Sequence, residues 1–399
     1  MKRNSNILLP LQLAFFVVGS LGTFVAASLP EIRQDFSIST SIASLLYVAW
    51  GLGIVIGSLT SNYFISLYKL RQILVSAGFA GLLAAYTGSD TQSFVVFLLC
   101  YFMLGISSGT ILTMGHGYVG RKSNKSRASN ISILDLSLSL GAVSAPMLLS
   151  YFITDNQNLT QWRDSFSVYK TLLILFIGLI LFSDLEDYPE SKLKVSIYSI
   201  VTVFKNPVFI CFSIVSLLYH AFEYGHTYWF VTYSTSLSTD INSDAARNIL
   251  VGFLSGAIVS RMALTLVATN SIMPFVLAIS TAIALSIVSY MPNHDNFLSL
   301  YIANILFGAS VGVIFPSMLA VAISTSDRLG AAFSSSALIF GAIGTQTSAV
   351  LLGVIIEHGH IQKIYPILSV IGFILLVSVI ILIKRSLAST EVKHQTKNK

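Results

Sequence analysis

Gly141-Ala142-Val143 stands in the fifth long apolar run of the chain, and Gly341-Ala342-Ile343 stands in the eleventh, 200 positions later. Two further small-residue marks repeat around them. Gly105 and Gly109 in the fourth run return as Gly308 and Gly312 in the tenth, and Gly57 in the second returns near Gly256 in the eighth. One such match carries little, because close helix packing in a membrane favours glycine anywhere. Three in one order and nearly one register, on either side of a single polar break, read as an internal duplication. The chain is expected to be two six-helix halves arranged as parallel repeats.

Composition agrees. Of 399 residues, 54% are hydrophobic and 10% charged, and the mean hydropathy is +0.78. A soluble domain is about a quarter charged, so the chain is an all-α membrane protein by arithmetic. Twelve helices of roughly 20 residues, the length that crosses a ~30 Å hydrocarbon layer, take about 240 positions. Apolar windows place them at about 8–29, 41–65, 72–89, 94–117, 130–153, 167–183, 207–236, 245–266, 271–290, 297–323, 330–355 and 364–384. Residues 1–183 then form an N-terminal half, 184–206 a central loop carrying Asp184, Glu186, Asp187, Glu190, Lys192, Lys194 and Lys205, and 207–399 a C-terminal half with a short tail.

The opening stretch, Lys2 and Arg3 followed by an apolar run to Ala27, has the outline of a secretory signal, but eleven similar runs follow it and it is expected to stay as the first span. Placing the first residue in the cytoplasm puts eighteen of the 23 Lys and Arg residues on the cytoplasmic side and leaves Arg33, Arg163, Lys170, Arg247 and Lys363 opposite. The positive-inside rule chooses this orientation, with both termini cytoplasmic and the central loop inside. The formal charge of +6 is spread over short clusters between the spans, so it reads as a topology signal and not as a nucleic-acid surface. Cys100 and Cys211, both in apolar runs, supply neither a disulfide framework nor a metal cluster. No cofactor is expected.

The sequence resembles the major facilitator superfamily along nearly its whole length. Leu29-Pro30-Glu31-Ile32 followed by Asp35-Phe36 is similar to that family's exit from the first helix. Gly57 to Asn62 and then Tyr68-Lys69-Leu70-Arg71 resemble its loop of glycine, acid and basic cluster, with Ser61 or Asn62 at the acidic position. The resemblance makes Lys69 and Arg71 gating candidates, with no acid at this position to complete the family's charge clamp. Within the superfamily the chain resembles the fucose-permease-like, TsgA-type branch. Glu223-Tyr224-Gly225 leading to Trp229, Phe315-Pro316-Ser317, Arg261, and Asp135 with Gly141 and Pro146 carry that likeness. Drug-antiporter hallmarks fit poorly: the fourth-helix arginine is Tyr101, and the fifth-helix signature is reduced to Gly141, Ala145 and Pro146.

Ionisable side chains near a bilayer centre cost at least ~2.5–3.5 kcal/mol, so each marks a functional candidate. Glu223 is the one acid well inside a span. His220 lies three residues before it, on the same helical face, where the two groups can exchange a proton or simply satisfy each other. Asp135, near the cytoplasmic end of the fifth span, reads either as a cavity-facing proton group or as a helix N-terminal acid held by the dipole and by Arg127. Arg261 reads as a structural or gating contact, and His116 receives no role. A metal site on His220, Glu223 and His226 is disfavoured, because six residues are about 1.7 turns and aim the two imidazoles apart. Tyr224 and Trp229, with Tyr101, offer aromatic surface for a solute, although interfacial packing also collects such rings. Asn304 and Gln346 offer buried amides, for a solute or for a neighbouring helix.

These features point to a secondary carrier in a multi-pass cell membrane, a bacterial inner membrane foremost, working by alternating access as a monomer with protons, a small-molecule substrate and the lipid bilayer as its partners. A sugar or sugar derivative comes first among substrates, ahead of an amino acid, organic acid, siderophore or drug. No phosphate-binding loop signature is present for direct ATP use. A membrane enzyme lacks a convergent nucleophile and base, and a sensor of this fold would add a soluble module. Reporter fusions after Leu159 and after Asn270 test the topology: the first should report outside and the second inside, and a common compartment would overturn the twelve-span reading.

Overall fold

The computed structural model describes residues 8–65, 67–120, 127–154, 160–183, 185, 206–237, 241–267, 272–325 and 330–397. Among them are twelve helices long and apolar enough to cross a membrane, and no strand. In chain order they are α1 (Leu8–Asp35), α2 (Thr40–Phe64), α3 (Leu70–Asp90), α4 (Phe94–Gly120), α5 (Arg127–Phe152), α6 (Phe166–Leu181), α7 (Pro207–Ser234), α8 (Ser243–Val267), α9 (Met273–Tyr290), α10 (Phe297–Thr325), α11 (Gly330–Glu357) and α12 (Ile364–Lys397). Helices dominate because a backbone in hydrocarbon must satisfy its own hydrogen bonds. Most of the segment 184–206, expected as the central loop, lies outside the described residues.

The chain divides into two compact units, Met1–Leu193 and Lys194–Lys399. Within the first, α1 packs on α5 and α6, α2 on α4, and α3 on α4 and α6. Within the second, α7 packs on α11 and α12, α8 on α10, and α9 on α10 and α12. The second list is the first with six added to every label.

Glycines explain why these pairs form. A Cβ placed on Gly105 would lie 2.5 Å from the Trp50 carbonyl oxygen, and one on Gly109 would strike the Ile54 carbonyl. The α8·α10 crossing is built alike: a Cβ on Gly308 would strike the Phe253 carbonyl, and one on Gly312 would lie 2.6 Å from the Ala257 carbonyl oxygen. Gly57 and Gly256 lie against the carbonyls of Ile106 and Ile305 from the opposite side of the same two crossings. Backbone thus touches backbone without side chains between, the close approach that small residues permit in lipid.

Two expectations change. Gly141 meets the Phe16 carbonyl, but its counterpart Gly341 faces the ring of His220, and the backbone contact between α11 and α7 passes to Gly344, against the Leu217 carbonyl. The first helix also does not end at Leu29-Pro30. It continues through Pro30 to Asp35, because a proline late in a membrane helix forfeits one backbone bond that neighbours can offset and because the end of the helix is anchored.

That anchor is Arg163, in the short turn before α6. Its Nε and Nη2 both lie 2.7 Å from Asp35 Oδ2, and its Nη1 donates to the carbonyls of Ser89 (3.1 Å) and Thr91 (2.5 Å). Trp162 Nε1 donates to the same Asp35 oxygen at 3.0 Å, and the guanidinium lies over the rings of Phe36 and Trp162. Side-chain exposures of 13% and 12% make this a largely buried, fully engaged pair. Removing one partner of such a pair leaves the other charge uncompensated, at about 3–5 kcal/mol. Arg163→Met is expected to lower the melting temperature of the detergent-solubilised protein by at least ~5 °C, and Arg163→Lys by less. Melting within a degree of the parent would show that the anchor is dispensable.

Candidate functional site

The polar centre of the second unit is built by α7, α8 and α10. Glu223 lies in mid-α7 with its side chain 13% exposed, and its Oε1 is 3.7 Å from Nη2 of Arg261 on α8. That distance is an ion-pair contact and is too long for a hydrogen bond. Arg261 is steadied separately, because its Nε donates to the Gly312 carbonyl of α10 at 3.0 Å. The glycine that lets α8 and α10 touch therefore also offers its carbonyl to the arginine. Tyr219, one turn before Glu223, donates to the Val311 carbonyl at 3.4 Å, and its ring lies edge-on to that of His220 at 4.9 Å. The Arg261 side chain is 42% exposed against 13% for Glu223, so the pair is covered mainly on the carboxylate side.

His220 and Glu223 do share a face of α7, but the carboxylate's ion-pair partner is Arg261. His220 Nδ1 lies 2.8 Å from the Ser216 carbonyl of its own helix. A carbonyl only accepts, so Nδ1 carries the proton and Nε2 of the neutral ring offers a lone pair. The imidazole lies parallel to the Tyr224 ring, 6.2 Å between centres, with Phe315 edge-on at 5.7 Å, and Gly341 leaves room for it. Tyr224 in turn meets Tyr228 at 5.2 Å. Gln346, five residues beyond Gly341 on α11, has a buried Oε1 without a hydrogen-bond partner.

Other candidates fall elsewhere. Trp229 and Asn304 are fully buried in the second unit. Tyr101, 1% exposed, donates its hydroxyl to the Leu21 carbonyl and packs on Trp50 and Phe97 in the first unit. Among the described residues no group of His, Cys, Asp and Glu side chains could hold a metal ion, and His226 is engaged otherwise. Its Nδ1 is 3.0 Å from the Tyr365 hydroxyl among the rings of Phe230, Phe253 and Phe307. Lys69 is an exposed N-cap of α3, and Arg71 donates to the Ser183 carbonyl just past the end of α6. Arg71 thus closes a helix C-terminus inside its own unit, where a cation is favoured by the helix dipole. Ser61, at the family's acidic position, bonds back to the Ser58 carbonyl at 3.0 Å, and the Asn62 side chain lies outside the described residues.

Asp135 is not the helix N-terminal acid of one of its two expected readings, because α5 begins at Arg127 and places it more than two turns inside, beyond the reach of the dipole. Its Oδ1 lies 2.9 Å from Nε2 of His116 on α4, and the two side chains are 54% and 38% exposed. The ring of Phe15 closes on His116 edge-on at 4.8 Å. Sequence reasoning gave His116 no role, because its partner lies on a different helix.

Residues 11–345 match the family model described as the Major Facilitator Superfamily. The protein TsgA homolog of Edwardsiella ictaluri is 22% identical over 356 residues, covering 86% of each chain. The fold matches the crystal structure of the nucleoside transporter NupG, with a TM-score of 0.74 at 12% identity over 94% of this chain and 99% of that one. It also matches a variant of the E. coli fucose:proton symporter FucP, with a TM-score of 0.65 at 15% identity over 95% and 99% of the two chains. The chain, with its twelve membrane-length helices in two like-paired sets of six, is a transporter of the Major Facilitator Superfamily.

Proposed function

We propose that this transporter is a secondary carrier for a small hydrophilic solute, a sugar or sugar derivative foremost, coupled to the proton gradient and working by alternating access. The observation that carries the reading is the Glu223–Arg261 pair. A carboxylate and a guanidinium held 3.7 Å apart, on different helices, attract each other without being locked by a shared hydrogen. Protonation of Glu223 removes one of the two charges and frees Arg261, which keeps the Gly312 carbonyl as a partner. A solute hydroxyl donated to Glu223 would compete in the same way. Either event changes what ties α7 to α8, and a ligand shifts a conformational equilibrium only through such differential contacts.

Sugar stands first because the half-buried rings of His220 and Tyr224 offer aromatic surface to the apolar side of a pyranose, while Glu223, Arg261 and the unpartnered amide oxygen of Gln346 suit its hydroxyls. The printed names of two structural neighbours, a fucose:proton symporter and a nucleoside transporter, support a sugar-bearing solute. Orientation with both termini inside, in a bacterial inner membrane, rests on the basic-residue bias. Asp135 stays the second choice for the proton, since its half-exposed carboxylate is already matched by His116.

Glu223→Gln keeps the shape and removes the titration. In proteoliposomes it is expected to abolish gradient-driven accumulation while counterflow of labelled solute continues. Accumulation with unchanged proton stoichiometry would move the coupling elsewhere, and loss of counterflow as well would recast Glu223 as a solute ligand.

The solute class is open to a thermal-shift screen of purified protein. A ligand confined to the folded state at 100 times its Kd adds about 2.7 kcal/mol, so a monosaccharide or nucleoside should raise the melting temperature by several degrees. A shift confined to amino acids or organic acids would displace the sugar reading.

A further inference from the structure

Arg261 keeps its charge in every state of a transport cycle, because a guanidinium does not deprotonate in a protein. Among the described residues its guanidinium makes one hydrogen bond, from Nε to the Gly312 carbonyl, and Nη2 meets Glu223 only at the 3.7 Å ion-pair distance. The forked Nη1 and Nη2 donors are therefore uncommitted, on a side chain that is 42% exposed. Such a fork matches the two oxygens of a carboxylate.

Among the described side chains of the second unit, no other acid can take the place of Glu223 as countercharge. The others are Asp244, Asp295 and Glu357, all exposed and all at helix ends. Asp244 stands in the first turn of α8, seventeen residues or about 25 Å from Arg261 along that helix. Asp295 precedes α10, and Glu357 is the last residue of α11.

The charge of an incoming solute therefore matters. With Glu223 ionised the pair is neutral overall, and an anion approaching Arg261 would meet a carboxylate already beside it. With Glu223 protonated from water, Arg261 is left with the neutral Gly312 carbonyl, and an uncompensated charge inside a membrane is costly. A neutral solute leaves that charge as it is. A monoanion cancels it, whereas a phosphate ester, nearer two negative charges at neutral pH, overshoots.

We propose that the site takes a sugar bearing one carboxylate, of the hexuronate class, which binds the Arg261 fork and enters together with the proton on Glu223. When the solute leaves on the far side, Glu223 returns its proton to water and the ion pair forms again. The loaded and empty sites then carry the same net charge, and neither partner of the symport enters well without the other. The rings of His220 and Tyr224 and the amide oxygen of Gln346 remain for the body of the sugar. The inference rests on the sugar reading and on the proton assignment to Glu223, and it is tested so that each can fail alone.

The full chain, purified in detergent at neutral pH, is titrated calorimetrically with glucuronate, galacturonate, glucose, galactose, a hexose phosphate and lactate. A hexuronate is expected to bind about tenfold or more tighter than its parent hexose and than the phosphate ester. Glu223→Gln, which removes the competing negative charge, should tighten the hexuronate about fivefold or more, and Arg261→Gln should weaken it about tenfold or more. Arg261→Lys, which keeps the charge without the fork, should fall between. Equal binding of hexose and hexuronate, preference for the phosphate ester, or a hexuronate affinity indifferent to both substitutions would overturn the proposal. Should Arg261→Gln not fold, the sign of the Glu223→Gln change decides, because removing a negative neighbour strengthens an anion and weaker or unchanged binding would refute its place there. Binding of neutral hexoses alone would overturn the proposal and leave the sugar reading standing, whereas preference for lactate over every sugar would overturn both. The proton assignment is read separately, from accumulation by Glu223→Gln in proteoliposomes, so its failure is told apart from loss of the hexuronate preference.

Discussion

Bare backbone against bare backbone is the contact on which the other features depend. Lipid tails are as apolar as leucine, so burying leucine gives two membrane helices no reason to prefer each other, and close packing has to supply it. The glycines of α4 and α10 remove the side chains that would hold α2 and α8 away, and the partner carbonyls move in. The Glu223–Arg261 pair is hung from one of those crossings. Gly312 illustrates the economy: it has no side chain, so Ala257 comes close, and its carbonyl is then within reach of Arg261.

The same logic separates what a sequence reader can see from what requires three dimensions. Span positions and the duplication are one-dimensional properties, written in hydropathy and in the spacing of glycines, and the repeated pairing of α1–α6 in α7–α12 follows from them. Helical arithmetic brought His220 and Glu223 onto one face because both lie on α7. It had no access to Arg261, which sits on another helix and reaches Glu223 only because α8 and α10 are pressed together. Residue type misled in a different way. Trp229 and Tyr101 have rings that suit a solute, yet both are buried, and in a membrane protein large apolar rings fill the interior and face the lipid with equal ease. Asp135 shows the same limit in the first unit, since its partner His116 lies on α4, which no periodicity along α5 can point to.

The two units also differ in where they commit charge. In the first, Arg163 and Asp35 are almost fully covered and Arg163 donates to carbonyls on a neighbouring turn, an arrangement with nothing left to trade. In the second, the Glu223–Arg261 pair is looser and partly open. A sealed pair at the end of a helix suits a fixed frame, because opening it strands a charge away from water. An open pair in the middle of a unit suits exchange, because water, a proton or a hydroxyl can take over one side.

Gly141 and Gly341 occupy matching places in the duplication but are answered by different neighbours, a main-chain carbonyl in one case and the His220 ring in the other. A carbonyl in a helix cannot step aside, whereas an aromatic side chain can be exchanged for a smaller one. Across evolutionary time the two positions are therefore under different rules. Position 141 is frozen by geometry, while position 341 is free to grow whenever position 220 shrinks, so the second duplicate can reshape the wall beside its charge pair without disturbing how its helices cross.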